Sequence, residues 1–432
     1  MQIFESKSEY INTIKSRIKW KRAKEIAVME LSDHIDDQYE EFLDNGYKKS
    51  DALSKALNEM GDANEIGDAL NSVYKPKINW RLILITVLFL ITGFILRSFA
   101  FLNSYGKYET IGLLIGVLGV IVTYFVDYTI ILKRPKTIFW AYTVLTGISI
   151  ILEKHLFYSI IQHHYSFYFL LFYPIVLAGI LLYIKNGVDN LQFEKFVFFS
   201  LVPLTYSLIL HSLTAFFYLY IIMMTFLIYA INNNWIEINK KQRTIGIGVF
   251  LLLAIIIIVC NTSIVRLDNT VNIHDLYSQK QVSDIIRNAP LIGKYDGEFK
   301  YITDYWNDYP ITFLVAKYGT VSIPVVLLLY SILLYCLYKT IIKQNTDVGY
   351  LISLSVFIIF SLQLIVGLLC NLGIIGGYFM IDFPLFPSGG SYLIFNLILI
   401  GVMLSISRNQ EIAKEWIKLN ETSNYIEGCG KN

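Results

Sequence analysis

The residues best suited to chemistry are gathered in one polar stretch, residues 266–310, of an otherwise apolar chain. This stretch carries seven acidic and five basic residues, although only 16% of the 432 residues are charged. They are Asp268, Asp275, Asp284, Asp296, Glu298, Asp304 and Asp308, with Arg266, Lys280, Arg287, Lys294 and Lys300. A long loop between membrane helices is more often functional than a plain connector, so a site is expected here.

The apolar segments around this loop predict a polytopic membrane protein. Hydrophobic residues make up 55% of the chain, and several runs reach the roughly 20 residues needed to cross about 30 Å of hydrocarbon. Backbone groups in lipid must be satisfied within each segment, so the runs are predicted to be helices. We predict an all-α membrane domain with ten spans, at residues 80–102, 109–132, 137–153, 166–185, 196–211, 213–231, 244–265, 311–338, 348–371 and 389–407.

Lys and Arg residues beside these spans fall on one face of the predicted membrane domain, and positive residues mark the cytoplasmic side. Both termini are therefore predicted to be cytoplasmic, with the 266–310 loop outside. The net charge of +2 gives no indication of nucleic acid binding. The flanking cations are Lys133, Arg134, Lys136, Lys185, Lys195, Lys240, Lys241, Arg243, Lys339, Lys343, Arg408, Lys414 and Lys418.

The chain is expected to divide into a cytoplasmic helical prefix domain at residues 1–77, a ten-helix membrane domain at 78–408 and a cytoplasmic tail at 409–432. Within the prefix domain, one helical run stops at Asn45-Gly46 and a second at Gly61. Asp62, followed three residues later by Glu65, predicts the cap of a third helix. The domain carries no catalytic constellation. It resembles short helical domains that precede membrane domains in Gram-positive bacteria, which implies docking or regulation, and a purely structural cap is the alternative.

Two stretches near the last spans have the composition of a site. Asp308 lies at the mouth of the predicted eighth span, with Gly319 eleven residues later inside it. A carboxylate beside the membrane can act as a general base, or simply cap a helix, and Asp304 lies one turn earlier. The second stretch is the Pro- and Gly-rich entry to the last span, which favours a re-entrant turn that presents N–H groups to an anion. It ends in Ser388, Gly389, Gly390 and Ser391.

These motifs resemble those of the SEDS family of the FtsW, RodA and SpoVE type. The family has an aspartate followed eleven positions later by glycine, as Asp308 and Gly319 are here. Its Asn-Ile-Gly is matched by Asn371-Leu372-Gly373, and its last span is preceded by motifs like Phe383-Pro384-Leu385 and Gly389-Gly390-Ser391. Tyr277 and Gln279 match the start of the family's outer loop. The resemblance covers residues 80–407, and its specific motifs lie in the last 140 or so.

The resemblance implies a ten-helix membrane glycosyltransferase that polymerises lipid II into peptidoglycan at the outer face of the cytoplasmic membrane. It selects Asp308 over Asp304 as the catalytic base, which would take the proton of the acceptor sugar's hydroxyl. The departing diphosphate needs cations or N–H donors. It also implies a class B penicillin-binding protein as partner, besides lipid II and membrane lipids. The expected substrate-binding residues are Arg266, Lys300, Lys317, Ser388, Gly389, Gly390 and Ser391.

The chain departs from the family pattern in three places. Ala316 and Lys317 replace an acidic pair before Gly319, a Gln-Pro-Ser-Glu segment with a following lysine is missing at the fourth span, and a Pro-Asp-x-Gly motif is missing near residues 210–214. Two further functions therefore compete with catalysis: a relative that binds or moves polyprenyl-linked lipids, and a scaffold for envelope proteins.

Cofactor chemistry receives little support from the sequence. The four cysteines, Cys260, Cys336, Cys370 and Cys429, show no paired spacing, so neither a disulfide nor a metal site is predicted. No cofactor is certain from the sequence, and a divalent cation remains compatible with the acidic loop.

Overall fold

The structure, a computed structural model, describes residues 6–100, 107–155, 165–187, 191–210, 212–236, 248, 273–297, 309–375, 383–385 and 392–410. Throughout these ranges the regular secondary structure is α-helical. Several residues singled out above lie outside the described residues: Asp304, Asp308, Arg266, Lys300 and 388–391.

The described residues fall into two compact units, one reaching Ile78 and including those from Ser407 onward, the other Asn79–Ile406. The first unit contains four helices, α1 Lys7–Arg17, α2 Lys21–Asp44, α3 Lys49–Met60 and α4 Ala63–Val73. Their shared core is built from Tyr10, Ile14, Ile18, Ala23, Ile26, Ala27, Leu31, Ile35, Leu57, Ala63 and Tyr74.

The turns of this unit follow its capping residues. Helix α2 ends at Asp44 with Asn45 as C-cap, and Gly46 takes the left-handed φ of 85° that glycine adopts without strain. The Asp62 carboxylate caps α4 by accepting the N–H groups of Asn64 at 2.8 Å and Glu65 at 3.2 Å. Those two N–H groups stabilise the charged form and lower the pKa of Asp62. The sequence signals for both helix ends therefore correspond to caps in the structure.

The second unit is a bundle of membrane helices with shorter connecting helices. Its members are α5 Trp80–Ala100, α6 Lys107–Phe125, α7 Ile130–Lys133, α8 Pro135–His155, α9 Tyr165–Leu170, α10 Tyr173–Lys185, α11 Gln192–Ile209, α12 Leu213–Asn232, α13 Ile273–Asn288, α14 Pro310–Tyr318, α15 Ser322–Ile342, α16 Asp347–Asn371 and α17 Tyr392–Gln410.

Among the described residues, six helices are long and apolar enough to cross a membrane. They correspond to the predicted third, fourth, sixth, eighth, ninth and tenth spans, while Trp80–Ile95 and Ile111–Phe125 form shorter apolar helices at the first two. Helix α11 occupies the fifth, and the predicted seventh span, 244–265, lies almost wholly outside the described residues. The prediction of an all-α polytopic membrane protein is confirmed.

One span prediction is wrong in an informative way. Residues 311–338 were expected to form one helix, but the chain forms α14 up to Tyr318 and restarts as α15 at Ser322. Gly319 between them has φ +94°, which no continuous right-handed helix allows. Gly319 therefore lies at a break between two helices, not inside a span.

Near the ends of α10, α12 and α16, an ion pair joins three helices. Lys185 donates to Asp347 at 2.9 Å, and the Tyr229 hydroxyl donates to the same carboxylate at 3.0 Å. The Lys185 ammonium also lies 4.4 Å from the centroid of the Trp235 ring. These contacts hold α12 and α16 side by side, and α16 carries residues that frame the candidate site at its other end.

Candidate active site

The start of helix α14 is held by a side chain from a different helix. The Asn371 carboxamide oxygen accepts the N–H groups of Ile311 at 2.9 Å and Thr312 at 3.2 Å. The Thr312 hydroxyl donates to the Asn371 backbone carbonyl at 2.7 Å, and the Asn371 amide donates to the Gly367 carbonyl at 3.0 Å. Asn371 is fully buried. The last residue of α16 therefore caps the helix that begins two residues after Asp308.

This cap bears on the two interpretations of Asp308. The N-cap position of α14 is Tyr309, whose side chain makes no capping hydrogen bond. The N–H groups that a cap would satisfy are taken by Asn371, so α14 does not need the Asp308 carboxylate for that purpose. Tyr309 and Pro310 are both buried, which fixes the chain immediately after Asp308.

At its other end, α14 is bonded to the segment that precedes it in the polar loop, residues 290–295. The Gly293 N–H donates to the Tyr318 backbone carbonyl at 3.1 Å, and the Tyr295 N–H donates to the Ala316 backbone carbonyl at 2.8 Å. A Cβ at Gly319 would lie only 2.6 Å from the Leu291 carbonyl oxygen. Glycine is therefore required at position 319 for two reasons: its φ is positive, and a side chain would clash with the Leu291 carbonyl oxygen.

Helix α13 of the polar loop lies over the end of α16. Gly373 has φ +70°, and a Cβ there would lie 2.5 Å from the Ser283 hydroxyl. Across this helix, the Tyr295 hydroxyl donates to the Asp284 carboxylate, which raises the pKa of Tyr295 because ionisation would remove that bond and set two negative charges side by side. The exposed side of α13 lines an open groove of about 340 Å³, formed by Gln279, Lys280, Ser283, Asp284 and Arg287.

Lys317, expected to bind substrate, lies in the last turn of α14. Its ammonium is 5.8 Å from the Phe313 ring centroid and 5.7 Å from that of Tyr318. Seven residues separate it from Pro310 along the helix, a rise of about 10 Å. The structure therefore places Lys317 at the opposite end of α14 from Pro310.

The Phe383-Pro384-Leu385 motif is anchored between two membrane helices. The Tyr330 hydroxyl of α15 donates to the Pro384 carbonyl at 2.7 Å. A Cβ at Gly367 of α16 would lie 3.0 Å from the Phe383 ring, so the ring rests directly on that glycine. Leu385 has φ +59°, a left-handed turn in the chain before the 388–391 segment. The structure thus fixes the approach to that segment.

Some residues that hold α14 and the Phe383–Leu385 motif in place were not identified from the sequence. Tyr330 carries no motif signal, and Asn371 was noted for its resemblance but not as a cap. In the part of the chain that the structure describes, no cluster of three metal-ligating side chains occurs, and the Cys336 and Cys370 side chains are buried.

Comparison with known proteins identifies a family match over this part of the chain. Residues 291–412 match the FtsW/RodA/SpoVE family, described as cell cycle protein. This match spans the Gly319 break, the Asn371 cap, the Phe383–Leu385 anchor and α17. No curated protein matches the chain by sequence.

Solved structures share the fold at low sequence identity. A chain from a peptidoglycan synthase complex, studied for its coordination of polymerization and crosslinking, superposes with a TM-score of 0.58 at 14% identity, over 77% of this chain and 98% of that one. Rod shape determining protein RodA of Thermus thermophilus gives 0.52 at 15% identity, over 77% and 97%. A mutant of that RodA gives 0.52 at 14% identity, over 77% and 98%. The last third of the chain therefore matches the FtsW/RodA/SpoVE, or SEDS, family, and the chain shares the membrane fold of RodA.

Proposed function

We propose that this chain is a peptidoglycan glycosyltransferase that polymerises lipid II at the outer face of the cytoplasmic membrane, with Asp308 as its general base. The match of residues 291–412 to the SEDS family and the RodA-like fold support a role in peptidoglycan polymerisation. The observation that carries the assignment of Asp308 is the cap on α14. Asn371 satisfies the first N–H groups of that helix, so α14 does not require the Asp308 carboxylate as its cap.

The proposed reaction follows from the chemistry of the bond that is made. The Asp308 carboxylate takes the proton of the acceptor sugar's hydroxyl as its oxygen attacks the anomeric carbon of the donor sugar. The bond from that carbon to the polyprenyl diphosphate breaks, and the diphosphate leaves with the bonding electrons. A base whose conjugate acid forms as the new bond forms contributes to rate in the transition state.

The departing diphosphate requires positive charge or N–H donors. We assign this role to Arg266, Lys300 and Lys317, with the turn predicted from the sequence at Ser388, Gly389, Gly390 and Ser391. In an in-line displacement the base and the leaving group lie on opposite sides of the reacting carbon. The separation of Asp308 and Lys317 toward the two ends of α14 is compatible with this division.

The proposed orientation and partners complete the function. Lys and Arg residues beside the spans favour cytoplasmic termini and an outer polar loop. A class B penicillin-binding protein is the proposed partner, since polymerised glycan must be crosslinked. Residues 1–77 are proposed to be a cytoplasmic docking or regulatory domain.

A specific observation keeps a second function in view. The family's acidic pair is replaced by Ala316, which is buried, and Lys317. A site with fewer carboxylates favours a relative that binds or moves polyprenyl-linked lipids without joining them.

The deciding experiment is a pair of substitutions in the polar loop. Asp308→Asn keeps size and hydrogen bonding but removes the basic lone pair, so glycan formation from lipid II should fall by roughly 10² to 10⁴. Asp304→Asn, its neighbour one turn away, should cost far less because a solvated loop charge is screened. Both are compared with the parent in reconstituted membranes at matched expression. An Asp308→Asn protein as active as the parent removes the catalytic assignment and favours the lipid-binding function.

A further inference from the structure

A buried carboxamide in the membrane interior lacks hydrogen bonds. Gln363 of α16 is 1% exposed, and among the described residues neither its amide nitrogen nor its carbonyl oxygen has a hydrogen-bond partner. An amide in an apolar environment without a compensating bond is costly, and the cost is larger in lipid, where water is scarce. Such a group in a native protein requires an explanation, and a bound polar group is one.

The position of Gln363 connects it to the candidate active site. Gln363, Gly367 and Asn371 are spaced four residues apart, so they follow one another on one side of α16. Gly367 supports the Phe383 ring and Asn371 caps α14. Gln363 is therefore one turn deeper than the Phe383 anchor and about 12 Å along the helix from the α14 cap.

The neighbouring helix contributes a second polar group without a partner. Tyr218 of α12 is 1% exposed, and its hydroxyl makes no hydrogen bond within the part of the chain that the structure describes. That hydroxyl lies close enough to the Cys370 thiol for electrostatic interaction. Cys370 is seven residues from Gln363, two turns of α16, and so lies on the same side of that helix. Since α12 packs against α16 and Tyr218 lies near Cys370, the side of α16 that carries Gln363 is the side that faces α12.

We propose that Gln363 and Tyr218 form a polar binding pocket between α12 and α16, beneath the candidate active site, for a group that both donates and accepts hydrogen bonds. Two sources have this chemistry: a hydroxyl or acetamido group of a sugar carried by a polyprenyl diphosphate, and water. The sugar source rests on the proposed function, whereas the water source does not.

The donor and acceptor inventory favours this class of ligand over a bare phosphate. The Gln363 nitrogen donates and its oxygen accepts, while the Tyr218 hydroxyl does either. A phosphate oxygen would satisfy only the donors and leave the Gln363 carbonyl unpaired. A hydroxyl or secondary amide satisfies both atoms of the carboxamide.

The test compares Gln363→Met and Tyr218→Phe with Ser361→Ala, which removes another unpartnered hydroxyl from a different side of α16. Full-length protein in nanodiscs is titrated with a fluorescent polyprenyl diphosphate that carries an amino-sugar disaccharide, and with the same lipid lacking the sugar. With sugar as ligand, Gln363→Met weakens binding of the sugar-bearing lipid by roughly tenfold, about the value of one or two hydrogen bonds. Binding of the sugarless lipid and the behaviour of Ser361→Ala stay unchanged.

Hydroxyl-radical labelling identifies the water source. With water as ligand, both lipids bind each variant as they bind the parent, yet the buried Tyr218 ring is labelled in the parent and much less in Gln363→Met. Unchanged affinities together with an unlabelled Tyr218 in the parent would overturn the pocket. A parent that binds neither lipid contradicts the proposed function instead, and the labelling result still decides whether the pocket is hydrated. Tyr218→Phe, which deletes a single oxygen, provides the same readouts of affinity if Gln363→Met fails to fold.

Discussion

Asn371 offers the sharpest test of how the candidate site is held together. Asn371→Ala deletes the acceptor of two N–H groups at the start of α14 and the donor to the Gly367 carbonyl. The Thr312 hydroxyl keeps its bond, because it donates to the Asn371 backbone. The substitution thus removes the cap but leaves the main-chain contact between α14 and α16.

The chain contains a matched control for this change. Asn396 of α17 is 1% exposed and, like Asn371, donates its amide to a carbonyl four residues earlier, here Tyr392 at 3.3 Å. No described residue donates a hydrogen bond to the Asn396 carbonyl oxygen. Asn396→Ala therefore removes the same side chain and the same type of bond without uncapping a helix, and the difference between the two variants isolates the cap.

The magnitude follows from the two N–H groups left behind. An unsatisfied buried donor costs about 1 to 3 kcal/mol, so Asn371→Ala should destabilise by roughly 2 to 6 kcal/mol more than Asn396→Ala. If Asp308 is the base, its displacement by about 1 Å would also lower the polymerisation rate on the order of 10²-fold. Denaturant unfolding in mixed micelles measures the first quantity, and glycan formation by folded protein measures the second. Equal unfolding free energies for the two variants would refute the role of the cap.

Three other predictions follow from single features of the chain. Gly319→Ala should destabilise by about 1 to 3 kcal/mol more than Gly46→Ala in thermal or denaturant unfolding, because both glycines have positive φ but only Gly319 meets a carbonyl oxygen within 3 Å; equal losses would show that φ strain alone matters. Single cysteines at Asn239 and Asn288 should differ in labelling by an impermeant reagent added from outside, with only Asn288 modified, and labelling of both would contradict the proposed orientation. Asp62→Ala should reduce hydrogen-exchange protection of α4 at pH 7. Folding lowers the pKa of Asp62, so the cap contributes its full stability above the unfolded pKa of about 3.9 and loses it as the pH falls through the folded pKa. Below the folded pKa, the parent and the variant should therefore show equal protection of α4.

Sequence patterns were sufficient where the determining interaction is local. Hydrophobic runs predict membrane helices because each residue responds to the same lipid environment, and Asp62 predicts a cap because it bonds N–H groups only two and three residues away. Helix α1 escaped prediction because only Tyr10 and Ile14 are fully buried along its length, too few to give a clear periodicity. The helix break at Gly319 was also not predicted, because the residues around it are apolar and hydropathy carries no information about φ.

The candidate site could be anticipated in its residue types but not in its geometry. The spacing of Asp308 and Gly319, together with the family resemblance, directed attention to the part of the chain where the structure shows the Gly319 break and the Asn371 cap. The function of Asn371 as a cap depends on a partner 60 residues away, and Gln363 gave no local signal. Such contacts arise only from the packing of whole helices, and the arrangement at Asp308 itself stays a prediction.

The remote origin of the α14 cap also has a consequence for biosynthesis. Ile311 leaves the ribosome 60 residues before Asn371, a delay of about 3 to 12 s at roughly 5 to 20 residues per second. During that time the first N–H groups of α14 lack the Asn371 acceptor, and α15 and nearly all of α16 must be synthesised before the cap can form. A membrane domain whose synthesis stops before Asn371 therefore has no capped α14.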